Sequence, residues 1–201
     1  MFSGIVEALS DILKIENKNT NNGVVRIFVS KPVHFNDIKV GDSICTNGVC
    51  LTVESFDDAQ IQFCLGYETL TLLGQNFILW SKYGVNLERS LRYGDRVHGH
   101  LVTGHVDSLA EIVKTESEGE CWFIDFKVQP QVAKYFWKKG SVCLGGVSLT
   151  VNEFQNNIVS VCLIPETIKS TNLSMYKSGD LISVESDYLA KAYLSMKVDI
   201  R

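Results

Sequence analysis

Short alternating runs dominate the hydrophobic pattern. IVEALSDILKI (5–15), VVRIFVS (24–30), SICTNGVCLTVESF (43–56) and IQFCL (61–65) are rich in Val, Ile, Thr and aromatic residues, and turn-forming residues bound them. That pattern predicts strands. Glycine-led pairs recur just before strands, at Gly41-Asp42, Gly94-Asp95, Gly140-Ser141 and Gly179-Asp180. Many short strands with frequent turns predict small barrels, since closure removes exposed edges. One short helix is expected in each barrel: KPVHFNDIKVG from Pro32 to Gly41, and PQVAKYFWKKG with Pro130 in its first turn and Gly140 as its stop. The tail SDYLAKAYLSMKV predicts a helix capped by Asp187, with Leu189, Ala192, Tyr193 and Met196 on one stripe. A helix of about a dozen residues is marginal alone, so its stripe is expected to be covered by its own barrel or by another subunit.

The pattern is also written twice. SICTNGVCLTVESF (43–56) matches SVCLGGVSLTVNEF (141–154) without a gap, and FCLGYETL (63–70) matches VCLIPETI (161–168). Upstream, GIVEALSDILKIE (4–16) resembles GHVDSLAEIVKTE (104–116). Cys50 and Ser148 stand 98 positions apart (50 to 148), as do Pro32 and Pro130. Two halves of this size are too long for solenoid units, so the repeat implies two copies of one fold in tandem.

Composition narrows the function. The chain has 201 residues and a formal net charge of −4, which argues against the basic stripe of a nucleic-acid-binding surface. No apolar run approaches the ~18 residues of a membrane span. The start MFSGIVEALSDIL lacks a basic leader region and carries Glu7 and Asp11, so it does not read as a signal peptide, and the cytoplasm is the expected compartment. Cysteines at 45, 50, 64, 121, 143 and 162 include no C-x-x-C pair, and no His lies at ligand spacing; neither zinc nor disulfides are expected. The matched pairs Cys45/Cys143 and Cys64/Cys162 read as small buried apolar residues.

MFSGIVE, NGVCLTV, GVSLTV, GHLVTGHVD (99–107) and LIPET (163–167) together resemble riboflavin synthase of the alpha-chain type, the lumazine-binding repeat family, over essentially the whole chain. The resemblance implies an all-β fold of two similar six-stranded antiparallel Greek-key barrels, residues 1–99 and 100–186, and a C-terminal helix, 187–201, that assembles a homotrimer. It implies dismutation of two molecules of 6,7-dimethyl-8-ribityllumazine into riboflavin and 5-amino-6-ribitylamino-2,4-pyrimidinedione, with no cofactor or metal. Lumazine synthase is the candidate protein partner.

By the same resemblance, Cys50, His105, Ser43 and Ser148 are the catalytic candidates. Cys50 is a nucleophile or proton relay; the competing reading is a small inert residue. His105 suits proton transfer, and its repeat partner is Ile5. Ser43 neighbours the donor site, although its equivalent Ser141 points to a plain turn role. The implied pocket of the N-terminal barrel comprises Gly4, Ile5 and Val6; Cys50, Leu51 and Thr52; and Cys64, Leu65, Gly66, Tyr67, Glu68 and Thr69. That of the C-terminal barrel comprises Gly104, His105 and Val106; Ser148, Leu149 and Thr150; and Cys162, Leu163, Ile164, Pro165, Glu166 and Thr167. Lys139 is expected to contact the ligand or to serve the end of its helix. His100 reads as structural.

Four features depart from the family pattern: Gly145 stands where an aspartate is usual, His98 where a glycine is, Tyr67 where some members carry lysine, and KYGVNLERS (82–90) alters the K-x-G-D turn expected before NLERS. The missing aspartate is expected to weaken polarisation of Ser148. It is the argument for the alternative reading, a non-catalytic lumazine- or flavin-binding antenna protein of the same fold.

Overall fold

The written alternation is a burial alternation. The structure, a computed structural model, describes residues 1–17, 23–74 and 76–198. In β3 (Val25–Ser30) the side chains of Val25, Ile27 and Val29 point into a core while Arg26 and Phe28 lie outward. The first half continues the pattern through β4 (Ser43–Thr46), β5 (Val49–Phe56), β6 (Gln60–Leu65) and β7 (Val85–Arg89), after β1 (Ala8–Ser10) and β2 (Ile12–Asn17). These strands form one antiparallel sheet in the order β1-β7-β4-β5-β6-β3-β2.

In the second half, β8 (Ser108–Glu118), β9 (Cys121–Lys127), β10 (Ser141–Leu144), β11 (Val147–Gln155), β12 (Ile158–Leu163) and β13 (Leu181–Ser186) close a barrel in the order β10-β11-β12-β9-β8-β13. The expected doubled antiparallel architecture holds. The seventh strand of the first half arises because β1 and β2 correspond to the single strand β8, interrupted at Asp11. Pairing of β1 with β7 ends at Ser10↔Val85, and the chain passes so close at Gly84 that a Cβ there would lie 2.9 Å from the Ser10 carbonyl oxygen.

Each half encloses its own apolar core, one around Ile27, Ile44, Phe63 and Leu87 and one around Ile112, Phe126, Val142 and Val161. A third cluster joins them: Phe2, Val102, Cys45 and Cys143 are all buried, and Phe2 and Val102 exchange backbone hydrogen bonds of 2.8 and 3.0 Å. Burying a side chain of this kind contributes roughly 1.5–3 kcal/mol. The chain's first residues are therefore part of the joint between the halves.

The helix expectations need correction. Residues 32–41 form turns, and Pro130 opens only one helical turn, α3 (Pro130–Ala133). The inserted residues plug the barrel ends instead, Phe35 and Ile38 on one side and Phe136 on the other. The spacing of these few apolar residues is satisfied by turns. The helices lie elsewhere: α1 (Tyr67–Leu73) and α2 (Leu79–Tyr83) in the first half and α4 (Pro165–Ser170) in the second. The tail helix α5 (Tyr188–Val198) does form, and Asp187 caps it by accepting the Leu189 N–H at 2.9 Å. Leu189, Tyr193 and Met196 are exposed.

Candidate active site

The two halves exchange their opening segments. Ser148 N–H donates to the Gly4 carbonyl at 2.7 Å, and Cys50 N–H donates to the Gly104 carbonyl at 2.9 Å. Val6 packs on the second core and Val106 on the first. This corrects the grouping of pocket residues: Gly4, Ile5 and Val6 accompany Ser148, while Gly104, His105 and Val106 accompany Cys50. The contact is too close for any Cβ, since one on Gly4 would lie 2.6 Å from Ser148 Cβ and one on Gly104 would lie 2.6 Å from Cys50 Cβ.

Two buried carboxylates hold these segments. Glu88 accepts from Ser3 N–H (2.7 Å), Ser3 Oγ–H (2.8 Å) and Gly4 N–H (2.9 Å). Glu185 accepts from Thr103 N–H (2.8 Å), Thr103 Oγ1–H (2.7 Å) and Gly104 N–H (2.9 Å). Burial nonetheless pushes the Glu88 carboxyl up from its ordinary pKa, against the pull of its three donors and a further one from Ile5. Both residues escaped the sequence reading. The signal was present, because NLERS and SVESD place a glutamate near the end of the last strand of each half.

The candidate residues assemble as two shelves on the outer faces of the strands. Along β5, Cys50 and Thr52 face outward between the buried Val49, Leu51 and Val53. Along β11, Ser148 and Thr150 do the same. Ser43 lies opposite Thr52 across the hairpin, as Ser141 lies opposite Thr150. Cys64 and Cys162 face outward on β6 and β12, while Leu65 and Leu163 point into the cores. Gly66 and Ile164 then lead into α1 and α4, whose first turns carry Glu68 and Glu166, with Thr69 and Thr167 beside them and exposed Tyr67 and Pro165 opening each helix. Lys139 is not in a helix; it turns with φ +69°, is exposed, and its N–H donates to Val151 O at 2.7 Å just before β10.

The shelves differ in their acid–base groups. Exposed His105 adjoins the Gly104 that accepts from Cys50. On the other shelf the equivalent residue is Ile5, and the imidazole comes from His100, whose Nδ1 lies 2.7 Å from Ser148 Oγ. Burial depresses the His100 pKa, opposed by nearby Asp187. A neutral imidazole at this distance can accept the Ser148 hydroxyl proton. His100 Nε2 is buried without a partner. His100, read from the sequence as structural, thus stands within hydrogen-bond reach of Ser148, a contact the sequence did not disclose. Gly145, in contrast, turns away from Ser148: a Cβ there would meet Ile182 Cδ1 at 2.9 Å and Leu173 Cδ2 at 3.4 Å. Position 145 faces the core, so the missing aspartate does not bear on that serine.

A polar cavity of about 1260 Å³ opens beside the first shelf. Ser43 and Ile5 line it together with Arg89, Asp37, Arg96 and His98, but Cys50 and Ser148 do not. Neither the Ser148 hydroxyl nor the His100 imidazole that it meets lines this cavity. Cys45 and Cys143 lie beneath the shelves, fully enclosed, with thiol pKa values pushed well up by burial, so they behave as small apolar residues.

The doubled fold and doubled shelf define a class. Residues 3–90 and 103–187 each match the lumazine binding domain. The chain is 39% identical to the riboflavin synthase of Actinobacillus pleuropneumoniae over 194 residues, spanning 95% of this chain and 87% of that protein. It is 36% identical to that of Photobacterium phosphoreum over 95% of this chain and 86% of that protein. With the Bacillus subtilis protein the identity is 34% over 95% and 87% of the two. The chain belongs to the riboflavin synthase family, a family of transferases built on lumazine binding domains. In fold it is similar to LumP complexed with riboflavin (TM-score 0.83, 22% identity, 92% of this chain and 99% of that one). LumP complexed with 6,7-dimethyl-8-(1'-D-ribityl) lumazine is similar too (TM-score 0.79, 20% identity, the same coverage).

Proposed function

We propose that the chain is a riboflavin synthase that dismutates two molecules of 6,7-dimethyl-8-ribityllumazine, one giving a four-carbon unit to the other. One observation carries this reading: the two shelves share one backbone plan but differ in their polar groups, with Cys50 beside the segment that carries His105 on the first and Ser148 against the His100 imidazole on the second. Two like shelves suit two identical ligands, and unlike proton-transfer groups suit opposite roles for them. The products, riboflavin and 5-amino-6-ribitylamino-2,4-pyrimidinedione, together contain all the atoms of two substrates, so the reaction balances without an external redox partner. Much of the acceleration then comes from holding the two rings together, an effect worth up to ~7–11 kcal/mol.

Ser43, Cys50, His105 and Ser148 act at the reacting rings, and the residues around Thr52, Thr150, Glu68, Glu166 and Lys139 hold the ligands. The exposed stripe of Leu189, Tyr193 and Met196 on α5 supports a homotrimer in which a shelf of one subunit faces the unlike shelf of its neighbour. Among the described residues, no helix is long and apolar enough to cross a membrane. We place the enzyme in the cytoplasm, with lumazine synthase as the natural supplier of its substrate. Incubation of the purified chain with 6,7-dimethyl-8-ribityllumazine alone tests the reaction. Two lumazines consumed per riboflavin formed is the expected result; tight binding without turnover would overturn it and leave an antenna-type binding protein. Light scattering on the same sample tests the trimer.

A further inference from the structure

The shelves also differ at one register position that the acid–base groups do not involve. Arg26 is the cross-strand partner of Cys64 between β3 and β6, and Phe123 is the cross-strand partner of Cys162 between β9 and β12. Residues directly opposite in an antiparallel pair project from the same face. The same structural place beside the shelf cysteine is therefore filled by a guanidinium in one half and by a benzene ring in the other.

The surroundings follow suit. Arg26 Nε and Nη2 donate to Glu54 at 2.8 and 3.3 Å, and Gln62 Nε2 donates to the same carboxylate at 2.7 Å. Burial raises the Cys64 thiol pKa, and the adjacent Glu54 carboxylate adds to the rise while Arg26 opposes it. Glu54 itself is held below its ordinary range despite burial, because Arg26 and Gln62 stabilise the charged form. In the second half, Asn152 and Ser160 occupy the positions of Glu54 and Gln62, and a carboxylate comes instead from Asp125, which lies opposite Ser160 where Phe28 lies opposite Gln62, so what the second half lacks beside its shelf cysteine is the guanidinium. Glu16 opposite Arg26 and Glu116 opposite Phe123 recur in both halves, so they do not create the difference.

Two N–H donors of Arg26 are committed to Glu54, while a guanidinium offers five in all. The remaining donors and the carboxylate oxygens form a dense set of charged hydrogen-bonding groups at the foot of the first shelf. Such a set recognises a chain of hydroxyls, which both donates and accepts, better than it recognises an apolar ring edge. The Phe123 ring offers the reverse.

We propose that Arg26 and Glu54 are specificity-determining residues that grip the polyol chain of the ligand on the first shelf, whereas the second shelf, with Phe123, holds its ligand mainly through the ring system. The inference rests on the lumazine-binding reading above and sharpens it: the two copies of one substrate are held by different parts of the molecule, which fixes them in unlike poses before any proton moves.

The test compares riboflavin, which carries a ribityl chain, with lumichrome, its ring system without that chain, by fluorescence titration of the full chain and of Arg26→Phe/Glu54→Asn. The exchange removes both charges together, so no half-buried ion is left unpaired. The expected result is two riboflavin-binding steps in the unaltered chain, one of which weakens about tenfold or more in the variant, as for loss of charge-assisted hydrogen bonds. Lumichrome affinity stays within about twofold. Phe123→Ala weakens both ligands together. Should the exchange unfold the chain, Arg26→Gln/Glu54→Gln retains the stems and carries the same expectation. Riboflavin binding unchanged in a folded variant, or riboflavin and lumichrome weakened alike, overturns this inference alone. An unaltered chain that binds neither ligand overturns the lumazine-binding reading along with it.

Discussion

Ser148 Oγ lies 2.7 Å from His100 Nδ1, although the two residues are 48 positions apart in sequence. His100 sits in the connection between the halves, where its N–H donates to the Ser3 carbonyl at 3.2 Å. Gly99 brings it there: a Cβ at that position would stand 2.6 Å from Ser148 Cβ. The pair brings a hydroxyl against an imidazole, with Asp187 near enough to act on the ring through its charge.

His100→Gln and Ser148→Ala therefore lower kcat by about 100-fold or more, the range expected for loss of a proton-transfer group. Binding of riboflavin changes by less than about threefold, since neither change removes the bulk of the contact surface. Single-turnover kinetics beside equilibrium titration separates the two effects. Equal losses in binding and turnover would show that the pair merely shapes the shelf.

The same imidazole makes stability depend on pH in a defined direction. Burial holds the folded-state pKa of His100 below 6.5. As pH falls through that value the unfolded chain takes up a proton that the folded chain resists, so this contribution is present above about 6.5 and lost on acidification. The urea midpoint is expected to drop between about pH 7.5 and about pH 5.5, and His100→Gln is expected to reduce that drop. An identical pH dependence in the variant would contradict the burial assigned here.

Much of this was legible in the sequence because it is local. Hairpins such as 43–56 and 141–154 advertise themselves by alternation and glycine turns, and the repeat counts the barrels. What could not be read is the exchange of segments between halves. Gly4 and Ser148 lie far apart in sequence, and within one half nothing distinguishes packing on its own barrel from packing on the other. His100 was invisible for a related reason: the spacing of 100 that relates Gly4 to Gly104 would put its counterpart before Met1, so the repeat offers no contrast there. Gly145 misled in the opposite way, because nearness along the chain to Ser148 says nothing about which side of the hairpin turn it faces.

Glu185 positions the segment that carries His105, and its removal has a measurable signature. Glu185→Ala leaves the Thr103 N–H, the Thr103 hydroxyl and the Gly104 N–H without their acceptor. Stranding buried donors of this kind costs about 3 kcal/mol in total. Glu185→Gln retains one acceptor oxygen but turns an amide toward a donor, and is expected to cost about half as much. In both variants turnover falls further than stability alone accounts for, because the contact between Gly104 and Cys50 loosens. Urea unfolding and kcat measured below the unfolding transition check the two parts separately.

Gly104→Ala tests the segment exchange itself. At φ +77° an L side chain is strained, and its Cβ would meet Cys50 Cβ at 2.6 Å and Cys50 N at 2.7 Å. Neither partner is the free end of a flexible side chain, so the backbone of one half must retreat from the other. Strain and overpacking together should cost about 2–5 kcal/mol. Gly41→Ala is the control: its φ of +94° is strained too, but nothing lies within 4 Å of the added carbon, so only the backbone share of about 1–3 kcal/mol applies. Gly4→Ala should behave like Gly104→Ala, because Ser148 crowds it in the same way. Thermal or urea unfolding of the three variants checks the order. If Gly104→Ala proved no worse than Gly41→Ala, the opening segments would not be packed across the halves, and the placement of the His105 segment beside Cys50 would go with them.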